Sequence, residues 1–158
     1  MPSVLFVCTA NRFRSPLAAA LFRKAIQEND RNGHWIVDSA GTWASFGLPV
    51  LPAVFEFACK YGLDLSQHRS ISVNEEILST HDLTLVMEAG HKEALQNEFP
   101  SCQEHIFLLS QVAEDRIYDI MDSVEPVDEV GVNLSERIQT GFNNICKLAI
   151  NLQKASPF

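Results

Sequence analysis

Long apolar runs are missing from this sequence. None approaches the roughly 20 residues that cross a bilayer, so no membrane span and no membrane partner is expected. Basic residues are also scarce: twelve Lys and Arg stand against twenty Asp and Glu, a net charge of −8. The resulting pI near 5.0 excludes a fold-wide basic face, and with it a nucleic-acid partner. A phosphate-bearing partner would need a local positive site working against the global field. The four cysteines, Cys8, Cys59, Cys102 and Cys146, include no Cys-x-x-Cys pair. That excludes the common zinc and dithiol patterns and, at 158 residues, a disulfide scaffold. Reduced thiols in a cytoplasmic protein are the expectation. The opening Met-Pro-Ser-Val-Leu-Phe-Val-Cys has neither a basic n-region nor a small-residue cleavage site, and does not read as a secretory leader. No repeat, low-complexity segment or Pro/Gly/Ser linker interrupts the chain, so one domain over residues 1–158 is expected.

What is present is enough apolar content, 46%, for a packed core, arranged as alternating strand and helix. Ser3 to Cys8 is apolar without polar alternation, the pattern of a parallel strand covered on both faces. Pro16 to Gln27 predicts a helix, with Pro16 in its first turn and an apolar stripe through Leu17, Ala20, Leu21 and Ile26. Trp35 to Asp38 reads as a second strand running into the turn-like Ser39-Ala40-Gly41-Thr42, and Pro52 to Tyr61 as a helix stopped by Gly62. Leu83 to Met87 and Ile106 to Leu109 are the third and fourth strands, separated by a helix from Gly90 to Phe99. An acidic loop then leads to an amphipathic helix over Leu134 to Leu152. This order predicts a three-layer α/β/α sandwich around a four-stranded parallel sheet. Such sheets bind ligands beyond the carboxyl ends of their strands, where Cys8 falls.

The segment at that end is Cys8-Thr9-Ala10-Asn11-Arg12-Phe13-Arg14-Ser15-Pro16, a Cys-x5-Arg-Ser entering a helix. Each feature suits cleavage of a phosphate ester by a thiol. A free cysteine titrates near 8.5, so a nucleophilic one needs help to ionise at neutral pH. A helix N-terminus, a ring of backbone N–H groups and a guanidinium favour the anion and then cradle phosphoryl oxygens. Arg14 can donate to two oxygens at once, which a lysine cannot match. Ser15 can hydrogen-bond the sulfur and improve it as a leaving group. Asn11 tolerates the left-handed backbone that a curled loop demands.

With Val-Leu-Phe-Val-Cys before the loop, Asp38 to Thr42, Tyr61 to Ser66 with His68-Arg69, Asp82-Leu83 to Met87 and Phe107-Leu108-Leu109, the chain resembles the low-molecular-weight protein-tyrosine-phosphatase family. That family also holds the thioredoxin-coupled arsenate reductases. The resemblance implies a phosphomonoester hydrolase with a nucleophilic Cys8, a phosphate-binding Arg14, a loop of Thr9, Ala10, Asn11, Arg12, Phe13 and Ser15, and His68 hydrogen-bonded to Asn11. It implies a cysteinyl-phosphate intermediate, no cofactor and no metal. The substrate would be a phosphorylated protein or small phosphoester, and the protein a monomer or weak dimer.

Three departures from the family pattern stand out. Ala10 replaces a usual glycine, which would strain the loop by about 1 kcal/mol if its φ were positive. Phe13 replaces a second cysteine that can protect the nucleophile as a disulfide. The general acid, usually the aspartate of an Asp-Pro pair, has two candidates in Tyr118-Asp119-Ile120-Met121-Asp122-Ser123-Val124-Glu125-Pro126-Val127. Asp122 is the favoured acid and Glu125 the alternate. Trp43, with Phe46 nearby, is the expected aromatic substrate wall, and Val124 or Val127 the opposite one. Arg12 sits at the rim position that helps set substrate preference in the family; there it would repel phosphoarginine and attract acidic phosphopeptides or multiply charged phosphoesters. An arsenate reductase would need further redox cysteines after the third strand, and residues 88–100 have none. A catalytically weak phosphate-binding relative is the other alternative. Cys59 and Cys146 are expected to be small buried hydrophobes in helices.

Overall fold

The fold was obtained as a computed structural model that describes residues 1–29, 34–121 and 127–155. Four strands, β1 (Ser3–Cys8), β2 (Ile36–Gly41), β3 (Leu83–Val86) and β4 (Ile106–Leu108), form one parallel sheet in the order β2-β1-β3-β4. Every residue of central β1 is buried, which is why its sequence shows no alternation of polarity. Alternation is present in space instead. Val4, Phe6 and Cys8 join one core with Leu83 and Leu85, while Leu5 and Val7 join a second with Val86, Ile106 and Leu108.

The first core is covered by α1 (Arg14–Glu28), α2 (Pro52–Lys60), α5 (Leu109–Glu114) and α6 (Val127–Ala155), the second by α3 (Glu75–Thr80) and α4 (Ala89–Glu98). Helices on both faces of a parallel sheet complete the expected three layers. The α6 helix presents Val130, Leu134, Ile138, Phe142, Ile145 and Ala149 to the core, a spacing of three or four that keeps one stripe inward. Among the described residues, no helix is long and apolar enough to cross a membrane.

Several boundaries differ from the sequence reading. β2 runs on to Gly41, because Ser39, Ala40 and Gly41 pair with Phe6, Val7 and Cys8 of β1; neighbouring-strand pairing overrides the turn-like composition. The α6 helix begins at Val127, so Asp128 and Glu129 are first-turn acids facing the helix N-terminus, not loop residues. The short α3 and α5 were not anticipated. Cys59 is exposed, contrary to expectation, because α2 buries Val54, Phe57 and Ala58 and leaves the other side to solvent. Cys146 is buried as expected.

Candidate active site

The loop from Cys8 to Phe13 links the carboxyl end of β1 to the amino end of α1. Four of its carbonyls are turned outward and satisfied there. Cys8 O accepts from Thr42 N at 2.9 Å, Thr9 O from Trp43 N at 2.9 Å and Arg12 O from Leu51 N at 3.1 Å. Asn11 O accepts from His68 Nε2 at 2.7 Å. In a planar trans peptide the N–H of the next residue points opposite to the carbonyl. Four outward carbonyls therefore aim the N–H groups of Thr9, Ala10, Arg12 and Phe13 into the loop, a concave anion nest at a helix N-terminus.

Two residues make that curl feasible. Asn11 takes φ 57° and is, with Asp115, one of the positive-φ non-glycine residues described. Ala10 is not among them, so the feared strain does not arise. Asn11 also ties the loop down through its side chain. Its Nδ2 donates to Ser15 Oγ at 2.8 Å and Ser39 Oγ at 3.0 Å, and its Oδ1 accepts from Ile71 N at 3.0 Å. Gly41 is needed for a different reason: a Cβ there would collide with Thr9 O and Ala44 Cβ. The strand that neighbours Cys8 must lack a side chain for the loop to pass.

The sulfur of Cys8 faces Ser15 at the start of α1. Ser15 Oγ lies 2.9 Å away and Ser15 N donates to the sulfur at 3.4 Å. Arg14 is 1% exposed, not a surface arginine. Its NH1 donates to Glu88 Oε2 at 2.6 Å and to Ile120 O at 2.8 Å, and its NH2 to Thr9 Oγ1 at 3.3 Å. An ion pair and two further acceptors fix the plane of the guanidinium, which a buried charge requires. Since His68 Nε2 faces a carbonyl, it carries the ring proton. Burial holds the His68 pKa below its ordinary value, with Arg23 and Arg69 acting the same way and the Asn11 hydrogen bond opposing.

The remaining site positions divide. Phe13 is buried in the core beside α1. Arg12 donates through Nε to Pro49 O at 2.7 Å. Trp43 and Phe46 are 85% and 88% exposed, and Trp43 is joined to the loop through its backbone. Val127, half-buried, packs on the first core. Asp122, Glu125 and Val124 lie outside the described residues, so the two acid positions are not placed.

Glu88 and His91 were missed by the sequence reading. Glu88 lies two residues past the last residue of β3, at the carboxyl end of the strand where ligands bind, and that placement was the available signal. His91 Nε2 lies 2.8 Å from Thr9 Oγ1. Asp119 accepts from Ala89 N at 2.7 Å, holding the approach to the acid segment against the start of α4.

The chain is similar to known proteins. The family model for low molecular weight phosphotyrosine protein phosphatase matches residues 3–154. A probable low molecular weight protein-tyrosine-phosphatase, EpsP, of Ralstonia nicotianae is 32% identical over 141 residues, covering 89% of this chain and 91% of its own. A protein-arginine-phosphatase of Bacillus subtilis is 31% identical, covering 75% and 77%. The crystal structure of a low molecular weight protein tyrosine phosphatase from T. tengcongensis superposes with a TM-score of 0.82 at 31% identity, over 90% of this chain and 99% of that one. With a match that runs almost end to end and a sulfur set in an anion nest beside a buried arginine, this chain belongs to the low molecular weight phosphotyrosine protein phosphatase family.

Proposed function

We propose that this protein hydrolyses phosphomonoesters on proteins through a covalent intermediate on Cys8. The observation that carries this is the sulfur held by Ser15 N and Ser15 Oγ beside the buried, ion-paired Arg14. The thiolate attacks phosphorus, forming the S–P bond as the P–O bond to the leaving group breaks. The loop N–H groups and Arg14 hold the charge spread over the equatorial oxygens, in the way phosphoryl transfer is generally assisted. A carboxylic acid gives its proton to the leaving oxygen. Water then attacks phosphorus, the same carboxylate takes its proton, and the S–P bond breaks to release inorganic phosphate. Ser15 O–H stabilises the departing thiolate. Nothing is oxidised or reduced.

Asp122 is the acid in this scheme. Its support is the neighbouring chain: Ile120, two residues earlier, accepts from Arg14 through its carbonyl and donates through its N–H to Met87 O at 2.8 Å. Asp122→Asn is expected to lower turnover of phenyl phosphate, whose leaving group is poor, by roughly 10²–10⁴-fold. The loss should be much smaller for p-nitrophenyl phosphate, and Glu125→Gln should be near parent. Steady-state rates on the two esters check this; the larger loss in Glu125→Gln would reassign the acid.

Relatives include both a tyrosine and an arginine phosphatase by name. The Arg12 side chain at the rim favours acidic phosphotyrosine peptides over phosphoarginine, whose own guanidinium it would repel, and the exposed Trp43 ring supplies an apolar wall. Rates of phosphate release from a phosphotyrosine peptide flanked by acidic residues should exceed those from a phosphoarginine peptide. The reverse order would refute the preference. Arsenate reduction is not favoured, since residues 88–100 hold no cysteine. A thiolate nucleophile fits a reducing, cytoplasmic setting.

A further inference from the structure

The His91 side chain is buried at the mouth of the phosphate loop, and the reaction scheme gives it no part. Its Nε2 lies 2.8 Å from Thr9 Oγ1 and 3.5 Å from Glu88 Oε2. Its Nδ1 is buried and, among the described residues, has no hydrogen-bond partner. These contacts choose the tautomer. A proton on Nδ1 would orphan a buried donor and turn a lone pair on Nε2 toward the Glu88 carboxylate. A proton on Nε2 avoids both faults and leaves only an unfilled acceptor, the cheaper omission. Burial lowers the His91 pKa and Arg14 adds to this, against Glu88 and Asp119, which raise it; a neutral ring fits that balance.

Thr9 Oγ1 then receives two donors, His91 Nε2–H and Arg14 NH2. A hydroxyl has two acceptor lone pairs and one proton. With both lone pairs used, its O–H can act only as a donor. No acceptor for it is found among the described residues. We propose that His91 is a positioning residue which, by donating to Thr9 Oγ1, obliges the Thr9 hydroxyl to donate to an oxyanion seated in the loop. The inference rests on the reading of this loop as a phosphate site, and adds to it a side-chain donor and the residue that aims it.

A purely structural His91–Thr9 bond would tie α4 to the loop and change stability without changing anion affinity selectively. The experiment is a phosphorus NMR titration of inorganic phosphate with the full chain, alongside thermal melting. Thr9→Val should weaken phosphate binding about ten-fold, the effect of one hydrogen bond to a charged group, and Thr9→Ser should keep it. His91→Leu should show the same loss. His91→Gln, which can present an amide N–H, should recover most of it, and Thr9→Val/His91→Leu should be no weaker than either single variant. Parent-like affinity in Thr9→Val or in His91→Leu overturns the inference, as do losses that multiply in the double variant. If His91→Leu does not fold, Thr9→Val against Thr9→Ser decides alone. A parent chain that binds no phosphate would instead refute the loop's assignment and this inference with it.

Discussion

Replacing Cys8 by serine is expected to lower turnover of p-nitrophenyl phosphate by roughly 10⁴–10⁶-fold with little change in melting temperature. The substitution changes one atom, so packing at a residue 2% exposed is nearly preserved. What fails is chemistry. A serine hydroxyl must lose a proton to attack phosphorus, and among the described residues the sulfur's hydrogen-bond partners are Ser15 N and Ser15 Oγ, neither of them a base. Ser15 N donates to it, Ser15 Oγ lies 2.9 Å away, and Asn11 Nδ2 in turn donates to Ser15 Oγ. Such surroundings suit a nucleophile that arrives ionised and offer no base to one that does not. Initial rates and thermal melting of the variant check this. Turnover within ten-fold of the parent would mean that the sulfur is not the attacking atom.

Removing Arg14 should rank next. Arg14→Ala is expected to cost about 10³–10⁵ in turnover, the range an arginine contributes to phosphoryl transfer, and Arg14→Lys should recover little of it. The reason is geometric. The guanidinium is held at once by Glu88 Oε2, Ile120 O and Thr9 Oγ1, and an ammonium has neither the planar fork nor the donors to keep these partners while binding two phosphoryl oxygens. Arg14→Ala also leaves the half-buried Glu88 carboxylate without its arginine partner, so stability should fall as well. The double variant Arg14→Ala/Glu88→Gln separates the two effects: melting temperature should recover and turnover should not. Comparison of kcat and melting for the four chains reads both. A lysine variant within a few-fold of the parent would show that Arg14 acts only as a point charge.

Much of this site was legible because its chemistry is local. Cys8 to Ser15 are consecutive, and the demands of a thiolate and of a phosphate oxyanion can be checked residue by residue along that stretch. The strands were visible for a similar reason: a parallel strand covered on both faces must be apolar throughout, as β1 is. What escaped was set by contacts between distant segments. Nothing near Glu88 in sequence announces that its carboxylate pairs with Arg14, 74 positions away, although its place after a strand was a usable hint. His91 reaches Thr9 across 82 positions. The extension of β2 to Gly41 depends on pairing with β1, which local composition could not reveal. The α3 helix carried a readable signal that was passed over: Asn74 caps it by accepting from Ile77 N at 2.8 Å, followed by Glu75 and Glu76 in the first turn. Cys59 shows the opposite error, in which a usually buried residue type falls on the outward side of α2.

The most direct measurement is to stop the reaction during turnover with acid and locate the phosphoryl group by mass spectrometry. With Asp122 as the proposed base that activates water, Asp122→Asn should aid detection by prolonging the intermediate. The account requires a phosphoryl group on the Cys8 sulfur that appears with substrate and decays as inorganic phosphate is released. Sustained turnover with the Cys8 peptide unmodified at every time point, or with the phosphoryl group on another residue, would contradict it.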